Sequence, residues 1–356
     1  MPAAYINRIA TAIPPNEVHN AFVKFTKPLL ADPRERGIFE RLVERGQIEK
    51  RWSCLIPAPD CRSASIDGER FYSPGGFPST GQRMRNYERE APALAEAAVT
   101  NLDLGAKLTD ITHLIVTSCT GFSAPGLDLH LIHRFGLDPG VERTIIGFMG
   151  CYAAINGLKA ARHIVRSEPE AKVLLVSIEL CTLHFQETHK LDLLMPFLLF
   201  ADGCAAVLIS AVPEGLELES FYAHIMPEAA DQMAWYIRDL GFDMVLSSKI
   251  PLSVARAIKA SSERILRGSK CGEIDMWAVH PGGRAILDSV EAAFALPGHA
   301  LDASRRVLRD FGNMSSATVL FVLKALLDEG KKGARGCAMS FGPGLTAETM
   351  LFRSAS

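Results

Sequence analysis

The stretch Thr144–Arg166, TIIGFMGCYAAINGLKAARHIVR, reads as three pieces in succession. Thr144 to Phe148 is a short apolar run, Gly150 interrupts it beside Cys151, and Tyr152 to Arg166 carries Ile155, Leu158, Ala161 and Val165 on one helical stripe. A strand, a glycine turn and a helix in that order present the turn residue at a helix N-terminus. Free backbone N–H groups and the positive end of the dipole favour a thiolate there. Gly150 has no side chain to obstruct a sharp turn or the approach of a substrate. Cys151 is therefore read as a nucleophile, against the plainer reading of an inert buried cysteine.

Outward from this stretch, short apolar strands alternate with longer helical patterns, the signature of an α/β protein. His113–Ser118, Lys172–Ile178 and Cys204–Ser210 read as further strands. In the second half, Pro251–Leu266, Gly283–Phe294 and Thr318–Leu327 read as helices, and Asp275–Val279, Arg335–Phe341 and Thr346–Phe352 as strands. The strand Asp275–Val279 delivers His280 into the turn Pro281-Gly282-Gly283, and Gly312-Asn313 precedes the helix at Thr318. Each half thus presents a reactive residue just before a helix, which suggests two related halves, 1–211 and 212–356, meeting at one site. Arg51–Gly81, rich in Pro, Gly, Ser and Asp, reads as a surface excursion, and Val212–Gly241 as a less regular connection.

The 356 residues are 48% hydrophobic, enough for a large core, and the formal charge of −2 lacks the basic excess that a nucleic-acid partner or an anionic membrane would select. No apolar run approaches the ~18 residues of a membrane-spanning helix, and the N-terminus lacks the apolar centre of a secretory signal. Eight cysteines, Cys54, Cys61, Cys119, Cys151, Cys181, Cys204, Cys271 and Cys337, form no CxxC pair and no Cys/His set with zinc spacing. Free thiols and a cytoplasmic location are expected.

An imidazolium from His280 near the Cys151 thiolate would hold an ion pair. Asn313 reads either as a helix cap or as an amide donor to an oxyanion. The motifs Gly150-Cys151, His280-Pro281-Gly282-Gly283, Gly312-Asn313-Met314-Ser315-Ser316-Ala317 and Phe341-Gly342-Pro343-Gly344 occur in that order. With Thr117–Phe122 and Leu199-Phe200-Ala201-Asp202-Gly203, the sequence from about Tyr87 to Arg353 resembles the type III polyketide synthases, the chalcone and stilbene synthase family.

The resemblance implies a thiolase-like fold layered α-β-α-β-α, a homodimer, and no metal or redox cofactor, coenzyme A thioesters being the substrates. It implies that Cys151 takes an acyl starter from coenzyme A. His280 and Asn313 would then stabilise the enolate left by malonyl-CoA decarboxylation, and the product would close to a pyrone, resorcinol or phloroglucinol-type ring. Phe200 and Met244 match the two gatekeeper positions, of which the second is usually aromatic. Cys119 and His184 fall where plant enzymes carry threonines, and Trp235 where they carry glycine, which points away from chalcone formation. With Ser315 these six residues form the expected substrate pocket. Lys50, Arg51, Gly282 and Gly283 are expected at the coenzyme A. The rival readings are a ketoacyl synthase served by a carrier protein, a cysteine hydrolase, and a non-catalytic binding protein of the same fold.

Overall fold

The computed structural model describes residues 2–58 and 65–355, so Cys61 and the middle of the excursion lie outside the described residues. Thirteen described strands follow one another as β1 (Tyr5–Ala12), β2 (Asn16–Glu17), β3 (Trp52–Ser53), β4 (His113–Ser118), β5 (Glu142–Gly147), β6 (Val173–Leu180), β7 (Asp202–Ser210), β8 (Leu216–Ile225), β9 (Met233–Arg238), β10 (Gly241–Leu246), β11 (Met276–Val279), β12 (Arg335–Gly342) and β13 (Thr346–Ser354). The helices are α1 (His19–Thr26), α2 (Pro33–Gly46), α3 (Thr80–Thr100), α4 (Leu127–Phe135), α5 (Ala153–Ser167), α6 (Leu191–Leu194), α7 (Ile250–Ile265), α8 (Arg284–Phe294), α9 (Asp302–Phe311) and α10 (Thr318–Asp328).

Nine strands form one mixed sheet in the order β11-β12-β13-β8-β1-β7-β6-β4-β5. Its two parts meet at a short seam, where β1 pairs with β8 only at Tyr5–Glu217 and Ile6–Leu216. On the first part β4, β5 and β6 run parallel, and every residue of β4 and β6 is buried, as apolar strands covered on both faces require. On the second part β11 and β12 run parallel.

The core separates into three apolar clusters. One covers the outer face of the first part, with Ala91, Leu94, Ala95 and Ala98 of α3. Another covers the outer face of the second part, with Val254 and Ile258 of α7 and Leu287 and Val290 of α8. The third lies between the two parts of the sheet and includes Ile155, Leu158, Ala161 and Val165 of α5 and Val319, Leu320 and Val322 of α10. Helix α5 touches β4, β6, β7 and β13, while α10 touches β1, β7, β11 and β12. This is the expected α-β-α-β-α layering of a thiolase-like α/β fold, with α5 and α10 as its middle layer.

The expected elements match the observed ones to within a few residues, but two loop readings need correction. Val212–Gly241 is not irregular: Leu216–Ile225 is a long strand of the main sheet, and Met233–Arg238 pairs with β10 in a separate hairpin. The excursion from Arg51 also turns inward. Tyr72 is buried, and its hydroxyl donates to the Thr182 carbonyl at 2.7 Å. The Asp67 carboxylate meanwhile accepts from the backbone N–H groups of Glu69, Phe71 and Tyr72.

Candidate active site

Strand β5 ends at Gly147, and the chain reaches Cys151 through two left-handed residues, Phe148 (φ 59°) and Gly150 (φ 74°). Glycine at 150 is required twice over: the backbone is left-handed, and a Cβ there would lie 2.1 Å from Pro343 Cδ. The Gly342-Pro343-Gly344 loop therefore packs directly under the cysteine turn, and a Cβ at Gly342 would in turn meet Tyr152 at 2.6 Å. Cys151 sits in the single 3-10 turn Gly150–Tyr152 just ahead of α5. Its Sγ lies 3.7 Å from Ser315 Oγ.

His280 follows β11, anchored by its N–H to the Met339 carbonyl at 2.8 Å. Its side chain is buried, yet among the described residues neither ring nitrogen finds a hydrogen-bond partner. Buried polar atoms are seldom left this way except where a ligand group completes them. Asn313 is fixed by backbone on both sides, its N–H donating to Leu199 O at 2.8 Å and its carbonyl accepting from Ala201 N–H at 2.9 Å. Its Oδ1 accepts from Ser315 N–H at 2.9 Å, which orients the amide so that Nδ2 points towards Gly282 O, 3.4 Å away. A Cβ on Gly282 would lie 3.7 Å from His280 Nε2. The imidazole and the carboxamide thus converge on the same stretch of backbone, and the long Nδ2 contact leaves that donor free for a stronger acceptor.

Electrostatics depart from the sequence expectation. Burial pushes the Cys151 thiol up to about 12 and the His280 imidazole down to about 3. Loss of water disfavours the charged form of each group, which opposes the expected thiolate–imidazolium pair. A residue the sequence reading overlooked, Glu179 at the end of β6, stands behind the cysteine. Its carboxylate accepts from Cys119 N–H at 2.9 Å, Thr120 Oγ1 at 2.8 Å and Ser316 Oγ at 2.5 Å. Burial lifts its carboxyl to about 7, against the opposing effect of those donors. The available signal was one carboxylate inside the apolar run Val173–Leu180.

The three residues line one cavity of about 900 Å³, together with Cys119, Phe200, Trp235, Met244, Gly282, Gly283 and Ser315. Trp235 and Met244 are direct cross-strand neighbours in the β9–β10 hairpin, which forms one wall. The Trp235 indole N–H donates to Cys119 O at 2.9 Å.

Three expected site residues lie elsewhere. His184 is fully buried behind the wall, stacked on Phe242 with ring centroids 4.0 Å apart and edge-on to Trp235. Its Nε2 donates to Thr120 O at 2.7 Å, so it supports the wall without lining the cavity. Arg51 is 2% exposed, and its guanidinium serves His19 Nδ1 and the carbonyls of Phe197 and Phe200, beyond reach of a surface phosphate. Lys50 is exposed but outside the cavity lining.

Two family models match the chain: chalcone and stilbene synthases, N-terminal domain, over residues 3–213, and the C-terminal domain over 217–356. The alpha-pyrone synthesis polyketide synthase-like Pks18 of Mycobacterium tuberculosis is 30% identical, the match covering 98% of this chain and 91% of that protein. Among solved structures, PKS-I from the brown alga Ectocarpus siliculosus aligns with a TM-score of 0.88 at 29% identity, over 99% of both chains. The C-terminal type III polyketide synthase domain of Steely1 from Dictyostelium aligns with a TM-score of 0.89 at 24% identity, over 99% of this chain and 100% of that one.

Proposed function

The chain belongs to the chalcone and stilbene synthase family and is a type III polyketide synthase, and from that premise we propose how its residues divide the work. Enzymes of this class join acyl-CoA and malonyl-CoA by decarboxylative condensation. Cys151 takes the starter acyl group: its sulfur bonds to the thioester carbonyl carbon, its proton passes to His280, and coenzyme A leaves as the thiol once that proton is returned. Malonyl-CoA then loses carbon dioxide, and the electron pair moves into an enolate whose oxygen accepts hydrogen bonds from His280 and from Asn313 Nδ2. The enolate carbon attacks the Cys151 thioester carbonyl, and the bond to sulfur breaks. Cys151 leaves as the thiolate and takes a proton from solvent, and the chain, longer by two carbons, now rides on coenzyme A. One preplaced donor to such an oxyanion is worth about 3 kcal/mol.

The observation that carries this reading is the convergence of a thiol, an unpartnered imidazole and an oriented carboxamide on a single apolar cavity. A neutral imidazole suits it, since one ring nitrogen accepts the thiol proton while the other donates. We assign the nucleophile to the half 1–211 and the donors to the half 212–356. Lys249 and Arg284 adjoin the lining residues Ile250 and Gly283 along the chain, and with Lys50 we assign them, in place of the buried Arg51, as cations for the coenzyme A phosphates.

The product we propose is a pyrone, resorcinol or phloroglucinol-type ring, the first being the class named in the Mycobacterium relative. A homodimer across the edge strand β5 is supported by the exposure there of Ile145 (49%), Phe122 (37%) and Met149 (36%). Unpaired strand edges and clustered apolar side chains favour association.

The test is to incubate the protein with malonyl-CoA and starters from acetyl-CoA to long-chain acyl-CoA, without carrier protein, and to identify products by mass spectrometry. Products extended two or more times are expected. Free acid alone, or an absolute need for a carrier protein, overturns the reading.

A further inference from the structure

At the end of the sheet opposite the cavity, three elements that each lead to the active site bring metal-ligating side chains together. His113 begins β4, the strand that ends beside Cys119. Glu142 begins β5, which leads to Cys151, and Glu168 follows the C-terminus of α5, the helix that Cys151 precedes. One ligand atom from each of His113, Glu142 and Glu168 lies within 4.8 Å of the other two.

The histidine is set up as a ligand. Its side chain is 6% exposed, and Nε2 stands 3.7 Å from the Glu142 carboxylate and 4.0 Å from that of Glu168. Both distances exceed a hydrogen bond, and among the described residues none closes at Nε2. The other ring nitrogen is 2.8 Å from Thr112 Oγ1. That hydroxyl already accepts from Lys172 N–H at 2.9 Å and lies 3.2 Å from Lys172 O, where its single proton has an acceptor. When the hydroxyl proton turns to that carbonyl, Oγ1 is free to accept a ring proton from Nδ1. The Nε2 lone pair then faces two carboxylates, an arrangement of three electron-rich atoms that a cation relieves. A second group that orients the far ring nitrogen is the usual support of a metal-binding histidine.

We propose that His113, Glu142 and Glu168 bind one divalent zinc ion, which ties the ends of β4, β5 and α5 together at the far side of the sheet from the cysteine. Zinc bonds to imidazole and carboxylate are about 2.0–2.2 Å, which sets ligand atoms about 3.4 Å apart in a tetrahedron. Closing from the present spacing asks only for small side-chain movements of the two glutamates, which are 72% and 59% exposed and open to solvent. A mixed nitrogen and oxygen set with room for water favours zinc over calcium or magnesium. The ligands come from separate elements and leave no local spacing to read in the sequence.

Isothermal titration with zinc chloride, on wild type and on the Glu142→Gln/Glu168→Gln double variant, tests the assignment. Both substitutions are at exposed positions, so folding is retained, and circular dichroism confirms it. One equivalent is expected to bind wild type, with the affinity at least about tenfold lower in the double variant. The melting temperature should rise with zinc in wild type alone. Calcium should give no such rise. Equal zinc binding by both proteins would place the metal on thiols such as Cys151 and overturn the proposal, as would no binding to either.

Discussion

Arg51 Nη1 donates to the Phe200 carbonyl at 2.9 Å, so a buried cation fixes the backbone of the residue that lines the cavity next to Asn313. The same nitrogen reaches the Phe197 carbonyl, and Nε donates to His19 Nδ1 at 3.0 Å. Replacing Arg51 by Met leaves two buried carbonyls unsatisfied and should cost about 3 kcal/mol of stability. It should lower kcat through the Leu199–Ala201 pairing with Asn313. The KM for coenzyme A thioesters should keep its salt dependence, because no phosphate contact is lost. Urea denaturation and steady-state kinetics at two salt concentrations check both halves of this statement.

Separating the two chemical roles is the next expectation. Cys151→Ala should abolish chain extension yet still convert malonyl-CoA to acetyl-CoA, since the His280 and Asn313 donors remain. His280→Ala or Asn313→Ala should each slow that decarboxylation by about 10²–10³-fold. Chromatography of the coenzyme A thioesters gives the answer directly. Unchanged decarboxylation in both variants contradicts the assigned roles.

The pH response follows from a thiol held at about 12 and an imidazole at about 3. Alkylation of Cys151 in the free enzyme, followed by peptide mass, should accelerate about tenfold per unit from roughly pH 7 to roughly pH 10 without levelling. An ordinary thiol levels near about 8.5. The lowered His280 value means the fold favours the neutral ring. That contribution is complete above the unfolded value of about 6.5 and is lost as pH falls towards 3. Between about pH 6.5 and pH 4 the loss amounts to about 3 kcal/mol, and His280→Gln should remove that part of the acid sensitivity. The raised Cys151 value acts in the opposite direction, its contribution being complete below about 8.5 and lost as pH rises towards 12.

Trp235 limits the cavity, held by the Cys119 carbonyl in front and by the His184 and Phe242 rings behind. Trp235→Ala should enlarge the space and shift products to chains longer by at least one malonyl unit, visible by mass spectrometry with a fixed starter. His184→Phe, which keeps a ring but loses the bond to Thr120 O, should produce the same shift more weakly. Unaltered products from Trp235→Ala would show that the hairpin does not set chain length.

Much of this was legible in the chain because strands, helices and motif turns are local. The apolar runs at His113–Ser118 and Val173–Leu180 and the stripe Ile155–Val165 each announce themselves over a few residues. Other local signals were passed over. Leu216–Ile225 alternates buried and half-buried residues for most of its length, and the Ser79/Gln82 capping box marks the start of α3. What could not be read is orientation. Lys50-Arg51 looks like a solvated pair, and only the packing of Phe197 and Phe200 around the guanidinium turns Arg51 inward. His184 lies close to the cavity along the chain, but its ring is captured by Phe242 and the Thr120 carbonyl. The charge state of Cys151 likewise depends on how much of the fold closes over it, which a helix N-terminus in isolation does not reveal.

The hairpin that carries Trp235 and Met244 hangs outside the nine-stranded sheet, whereas the turns bearing Cys151, His280 and Asn313 are anchored to it or to the helices packed on it. Wall and machinery are therefore separate elements of the fold, joined by the Trp235–Cys119 bond, the Gly344–Met233 backbone bond and the Phe148–Phe242 ring contact. Exchanges at Trp235 and Met244 leave the sheet register that aligns sulfur, ring and amide in place, so new ring products are open to this scaffold by substitutions that keep the bond-making step.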